Sequence, residues 1–388
     1  MAEANADQVT LAYIEETTFK TARTGSNLQK LRFTGEDLGQ DTSTTRSAEI
    51  RDDRQTSEII RTSTGASGTI STELNLTTYS DWLASGLMDS AWSAAVTETS
   101  SAIYFTAPST INHQGSFAQT YVAGQWIKVS GAAAAANNGY FKIASVASGA
   151  LTLDQATLST AAATPSITLL QGPYIENGTN LDTYNIERTY GGLGGDLELL
   201  LGMAIDSVSL EVAPESIVTA GFGFIGSSAS SIGASVGTGY TEAGTTGPVN
   251  AVEDVTAIQQ SSTYAAHAST AFSLNLSNNL RTRMEIGTLG AVSLGSGKTS
   301  VSGSLSAYYS DNATFDKYIN FTDTSLAIIM EDGESTPNAM IIDLPSVKFT
   351  NGRRTAGGEN SDIIATMDWE AFRNPTEDIT IRIARFPS

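Results

Sequence analysis

The stretch SVSLEVAPESIVTAGFGFIG, residues 207–226, decides the fold. In residues 207–212, Val208, Leu210 and Val212 fall on one side and Ser207, Ser209 and Glu211 on the other. After the turn Ala213-Pro214-Glu215-Ser216, Val218, Ala220, Phe222 and Phe224 alternate with Thr219, Gly221 and Gly223. Strand side chains point to opposite faces with period two, so this is a hairpin with one apolar face. Its other face is small and polar, suited to water or a sister subunit. Upstream, residues 183–188 alternate too, while residues 196–201, closed by Gly202, read as a short helical turn.

The same grammar recurs outward. Gly68 opens a strand with Ile70, Leu74 and Leu76 on one face, then Tyr79-Ser80-Asp81 and a helix carrying Trp82, Leu83, Leu87 and Met88. Ser80 or Asp81 is expected to cap that helix. Later, Val301, Gly303, Leu305 and Ala307 alternate with Ser300, Ser302, Ser304 and Ser306, before Tyr309-Ser310-Asp311 and Phe315, Tyr318 and Ile319. The two copies match with a one-residue slip, as a bulge would produce. On either side, residues 31–33 correspond to 272–276, strands at 167–170 and 183–188 to 326–330 and 340–344, and 207–226 to 363–369 plus 379–383. Five strands and one flanking helix, found twice, imply a mainly β chain with an internal duplication, its two sheets packed as a sandwich or partial barrel.

Three stretches stand apart. Residues 100–172 carry strand signals at 103–105, 121–129, 140–146, 150–153 and 167–170 and an Asn-Gly turn at 138–139. They read as a small inserted β domain, leaving 1–99 and 173–388 to the main fold. Residues 227–248, rich in Gly, Ser, Ala and Thr, read as a flexible loop. Residues 36–61 are dense in both charge signs and poor in apolar groups, so they form a long exposed loop or protruding hairpin with a function of its own.

Composition narrows the chemistry. The 388 residues, 40% apolar, allow one to three domains. With 41 acidic against 21 basic residues the net charge is -20, which argues against a surface that grips DNA or anionic lipid. The first residues lack the basic start and apolar core of a secretory signal, and no apolar run reaches membrane-spanning length. No Cys is present, which excludes disulfides and thiol chemistry, and two His, His113 and His267, cannot build a His-rich metal site. The run Gly221-Phe222-Gly223-Phe224-Ile225-Gly226 matches a dinucleotide fingerprint by letter but lies inside a strand instead of joining strand to helix. Gly297-Lys298-Thr299 lacks the earlier glycine of a phosphate loop, whose place Val292 takes. The glycine run at 191–195 reads as a linker and Glu331-Asp332-Gly333-Glu334 as a turn. Neither His has a nucleophile context. Trp82, Trp92, Trp126 and Trp369 read as core or rim aromatics. No catalytic, cofactor-binding or metal-ligating residue is expected.

Several segments together carry a resemblance: 31–36 (LRFTGE), 47–55 (SAEIRDDRQ), 183–188 (TYNIER), 217–226, and Ser277-Asn278-Asn279-Leu280 with Ile286-Gly287. In collinear order and across most of the chain outside the insert, this set resembles the tail tube proteins of long-tailed, non-contractile bacteriophages (siphoviruses). That resemblance implies a structural, non-enzymatic virion protein with no cofactor, assembled in the host cytoplasm. It implies β-sandwich protomers in homo-hexameric rings, stacked into a tube around a tape measure protein, with terminator and distal tail proteins at its ends and phage DNA passing through. The insert resembles an outward-facing extra domain. On this reading the mixed charges Arg46, Glu49, Arg51, Asp52, Asp53, Arg54 and Glu58 form an inter-ring contact, since opposite charges fix register. The bore is expected to be acidic, with Asp206, Glu187 and Glu211 as candidates, because unneutralised phosphate is not held. A carbohydrate-binding adhesin or decoration protein, with a site near Tyr121 and Trp126, or another ring-forming tail component, is the alternative.

Overall fold

The computed structural model describes residues 5–163, 166–192, 196–261, 264–309, 312–333, 337–356 and 358–387. Ser310, Asp311, Glu334 and the 193–195 part of the glycine run lie outside the described residues. The main body is built from β1 (Val9–Glu15), β2 (Gly39–Arg46), β3 (Ile59–Glu73), α1 (Ser80–Gly86), β4 (Tyr184–Tyr190), β5 (Leu197–Val212) and β6 (Thr219–Gly226). It continues with β7 (Ser269–Ser277), β8 (Ser300–Tyr308), α2 (Ala313–Ile319), β9 (Thr324–Glu331), β10 (Ala339–Thr355), β11 (Ile364–Ala371) and β12 (Arg382–Phe386). The fold is a mainly β sandwich without a closed barrel.

The duplication is visible in the pairing. In the first unit neighbours run β4–β5–β6–β3–β2, and in the second β9–β10–β11–β8–β7, all antiparallel. Each unit has one short helix on the inner side of its long strand, α1 on β5 and α2 on β10. The correspondence is therefore one strand out from the one read in the sequence: β4 matches β9, β5 matches β10 and β6 matches β11. The strand at 167–170, taken as a member of the repeat, belongs to the insert.

Residues 196–201 are not helical. Their leucines favour helix, yet Leu197, Leu199 and Leu200 are buried in β5 between β4 and the strand Ser228–Ile232, and sheet partners override local propensity. Gly202 marks a bulge rather than a helix end. It sits at φ +68°, where the register against β4 shifts, and a Cβ there would lie 2.8 Å from the Phe19 ring. Residues 227–248, expected as loop, contain Ser228–Ile232 and Gly239–Thr241, whose backbones pair although their side chains are small. Ser80 is the first residue of α1 and Tyr79 its N-cap, with no side-chain capping bond. A seven-residue helix is too short to persist alone. Trp82 pins it, with its ring 5.1–5.2 Å from Tyr13, Phe222 and Phe224.

Because β5 and β10 are long and bend, each serves two layers. The first part of β5 pairs with β4 and its last residues with β6 and β7; the first part of β10 pairs with β9 and β12 and its last with β11. Between the layers lies one core, including Ile70, Trp82, Phe222, Phe272, Ile342, Phe349 and Trp369. The strands between Val96 and Gln171 form a separate seven-stranded sheet with its own core around Ile103, Ile127, Ile143 and Leu169. The Asn-Gly pair there does not make a two-residue turn: residues 131–138 connect the paired strands Trp126–Ser130 and Gly139–Ala147, and the Asn138 side chain bridges Ala132.

Candidate functional site

One face of the body is an eight-strand polar surface, in the order β2–β3–β6–β5–β7–β8–β11–β10. One row of residues crossing it begins with Gly35, in the two-residue strand Gly35–Glu36 that pairs with β3 just ahead of β2, and continues with Ser71, Gly221 and Ser209. It continues through Asn275, Ser302, Glu370 and Lys348. The next row runs Glu73, Thr219, Glu211, Ser273, Ser304, Asp368 and Asn351. Between the rows Thr72, Ala220, Leu210, Leu274, Trp369 and Phe349 are buried, which is why the sequence alternates along these strands. Gly221 is part of the design of this face: a Cβ there would meet the Ser209 hydroxyl at 2.7 Å.

Four carboxylates, Glu73, Glu211, Asp368 and Glu370, punctuate the face, with Lys348 and Arg353 near the β10 edge. Of the three acidic residues expected to line a bore, only Glu211 stands exposed on this face. Asp206 sits at the bulge between Ile205 and Ser207, where its carboxylate accepts the Leu280 amide at 2.6 Å. Glu187 is 0% exposed and corrects the expectation. It lies on the far side of β4 from the core residue Ile186, where its carboxylate accepts from the Tyr240 hydroxyl and the Val236 amide.

Residues 36–61 are a protruding hairpin: β2 pairs with the first part of β3, and the tip at 47–58 is exposed almost throughout. It brings Arg46, Glu49, Asp52, Arg54 and Glu58 together by continuity of chain. Arg51 is already engaged, its guanidinium forked onto both oxygens of Asp53 at 3.0 and 2.9 Å. This pair raises the Arg51 pKa and lowers that of Asp53. Sequence reading missed the apolar content of the arm: Ile50 is 98% exposed, and Ile59 and Ile60 are exposed where the paired strands run into the tip.

The insert sits on the opposite side. Trp126 and Tyr140 pack on Ala327, Ile329, Ile341 and Phe386, the outer faces of strands whose inner faces hold Ile328 and Ile342 in the main core. Beside this seam, Lys142 Nζ lies 2.8 Å from Asp343 and 2.7 Å from Glu377, and Arg382 meets Glu377 and Glu176 at 2.8 Å each. Tyr264 donates to Asp343 at 2.8 Å, and burial, then the Asp343 carboxylate, raises its pKa well above that of a free phenol. Burial pushes Asp154 up to about 6; Lys142 opposes this, while Glu377 and Asp343 add to it. Lys142 was not singled out from sequence. Its position in a strand whose neighbours Phe141 and Ile143 are buried was the available signal. Neither aromatic expected at a sugar site offers a face to a ligand: Trp126 is buried in this seam, 1% exposed, and Tyr121 in the insert's own core, 5% exposed.

Among the described residues no three Asp, Glu or His side chains converge as metal ligands, and no helix is long and apolar enough to cross a membrane. His113 hydrogen-bonds Ser100, and His267 contacts Ser269 and Thr314. The body is thus a duplicated β sandwich with one large polar sheet face and a protruding arm. The profile of the phage tail tube protein family matches residues 6–371, and the chain belongs to that family. It is thus a structural component of the phage virion. No curated protein matches the chain.

Proposed function

We propose that the polar sheet face lines the bore of the phage tail tube and that the chain builds rings stacked into the conduit for genome ejection. The observation that carries this reading is the eight-strand sheet itself: its polar face is small and carboxylate-bearing, and neither outer edge is paired among the described residues. An unpaired edge presents a row of amides and carbonyls, and a head-to-tail contact repeated around an axis closes it. DNA is held by Lys and Arg that neutralise its phosphates, so a face of Ser, Thr, Gly and Glu lets it slide. The ring of six implied by the resemblance enters this reading as six tube units about the axis. The arm, residues 36–61, stacks one ring on the next, the insert at 100–172 points outward, and the bore is filled by a tape measure protein before DNA passes. Terminator and distal tail proteins close the ends of a non-contractile tail.

Negative-stain and cryo-electron microscopy of purified protein tests this. The expected result is hollow tubes with Glu211 and Glu370 on the inner wall. A solitary protomer at high concentration, or tubes with a Lys/Arg-rich wall, overturns it.

A further inference from the structure

We propose that one chain joins the next through the outer half of β10, residues 348–355, laid beside residues 31–36 of its neighbour, and that a ring closes with three chains. This rests on the tube reading above and goes further, because the molecule contains its own template for the contact. Inside the chain, the first unit meets the second where β5 pairs with β7, Ser209 opposite Asn275.

The row through that junction gives the register. Unit one supplies Gly35, Ser71, Gly221 and Ser209. Unit two supplies Asn275, Ser302, Glu370 and Lys348, from the equivalent strands in the same order. Lys348 therefore stands where Ser209 stands, and Gly35 where Asn275 stands. Ser209 has Asn275 beyond it. Beyond Lys348 no further strand is paired among the described residues, and none precedes Gly35. Moving the internal junction along the sheet by one unit places Lys348 of one chain opposite Gly35 of the next. The Leu31 amide already donates to Leu11 and the Arg32 carbonyl accepts from Tyr79; the groups left open at both edges beyond these are then satisfied as they are at β5–β7.

A further observation fits a strand arriving there. An open groove of about 630 Å³ runs along residues 31–36, bordered by Val9, Glu73 and Tyr79. Charged groups stand at both ends: Lys348, 3.2 Å from Asp323 of its own chain, and Arg353 on the β10 edge, and Arg32, Asp41 and Glu73 at the other. Since each chain brings two units, a ring of six units contains three chains rather than the six that the resemblance implied. The insert occurs once per chain, so such a ring carries three outward projections.

The chain has no Cys, which makes the contact directly testable. A side chain at Gly35 meets nothing within 4 Å, so Gly35→Cys is accommodated. The double variant Gly35→Cys/Lys348→Cys, assembled and treated with a short bis-maleimide, should convert most chains to a ladder ending at three chain masses. Each single variant should stay at one chain mass. Tubes that form without inter-chain cross-links overturn the pairing while leaving the tube reading standing, and a ladder ending at six overturns the stoichiometry. Absence of any assembly refutes the tube reading itself. Wild-type rings viewed down the axis give an independent result: three projections support the proposal, and six identical projections overturn it.

Discussion

Replacing Lys142 by Met is expected to loosen the insert from the body. The ammonium is 2% exposed and lies within 2.8 Å of Asp343 and Glu377, of which Asp343 is wholly buried. Met keeps the length of the side chain but leaves Asp343 with only the Tyr264 hydroxyl and the more distant Arg382, 3.7 Å away. Breaking one side of a buried pair costs about 3–5 kcal/mol, because the remaining charge stays desolvated. The double variant Lys142→Met/Asp343→Leu removes both charges, and replacing a buried pair by apolar groups is close to neutral. The expected signature in chemical denaturation is a single variant several kcal/mol less stable than the double, with a coupling above about 1 kcal/mol in the double-mutant cycle. Limited proteolysis should cut near residues 96 and 171 faster in the single variant alone. Equal stabilities for single and double variants would refute the reasoning, since the charge left behind would then carry no cost.

Asp154→Asn should stabilise the protein near pH 7 and have little effect near pH 4. A carboxyl whose folded pKa is raised to about 6 contributes fully only below its unfolded value, and that contribution is lost as pH rises through 6. Partial exposure reduces the gain to roughly 1 kcal/mol, read as a pH-dependent shift in Tm. Gly303→Ala should destabilise by about 1–3 kcal/mol or more, because the new methyl collides with the Ser273 carbonyl and the Trp369 ring; an unchanged denaturation midpoint would count against the packing described. Arg51→Glu with Arg54→Glu should leave the melting curve of the exposed arm's protomer unchanged but shorten or abolish tubes in negative stain. Normal tubes would remove the arm's stacking role.

Alternation in residues 207–226 and 300–307 was legible without coordinates, because a sheet with one face in a core and one in solvent enforces period two on its side chains. From that followed the mainly β class and the duplication, while the family was reached through the resemblance carried by segments such as 31–36 and 183–188. Local pattern misread residues 196–201 and 227–248, where leucine propensity and small side chains are overruled by strands distant in sequence. It also could not separate Glu187 from Glu211. Both sit on alternating strands, yet one is buried behind β4 and the other stands on the open polar face. Only the tertiary structure decided that the two units share one continuous sheet, because the pairing of β5 with β7 joins residues sixty or more positions apart. Sequence determines which face of a strand is apolar; which strands become neighbours, and which edges stay open, depends on long-range contacts that no local period encodes.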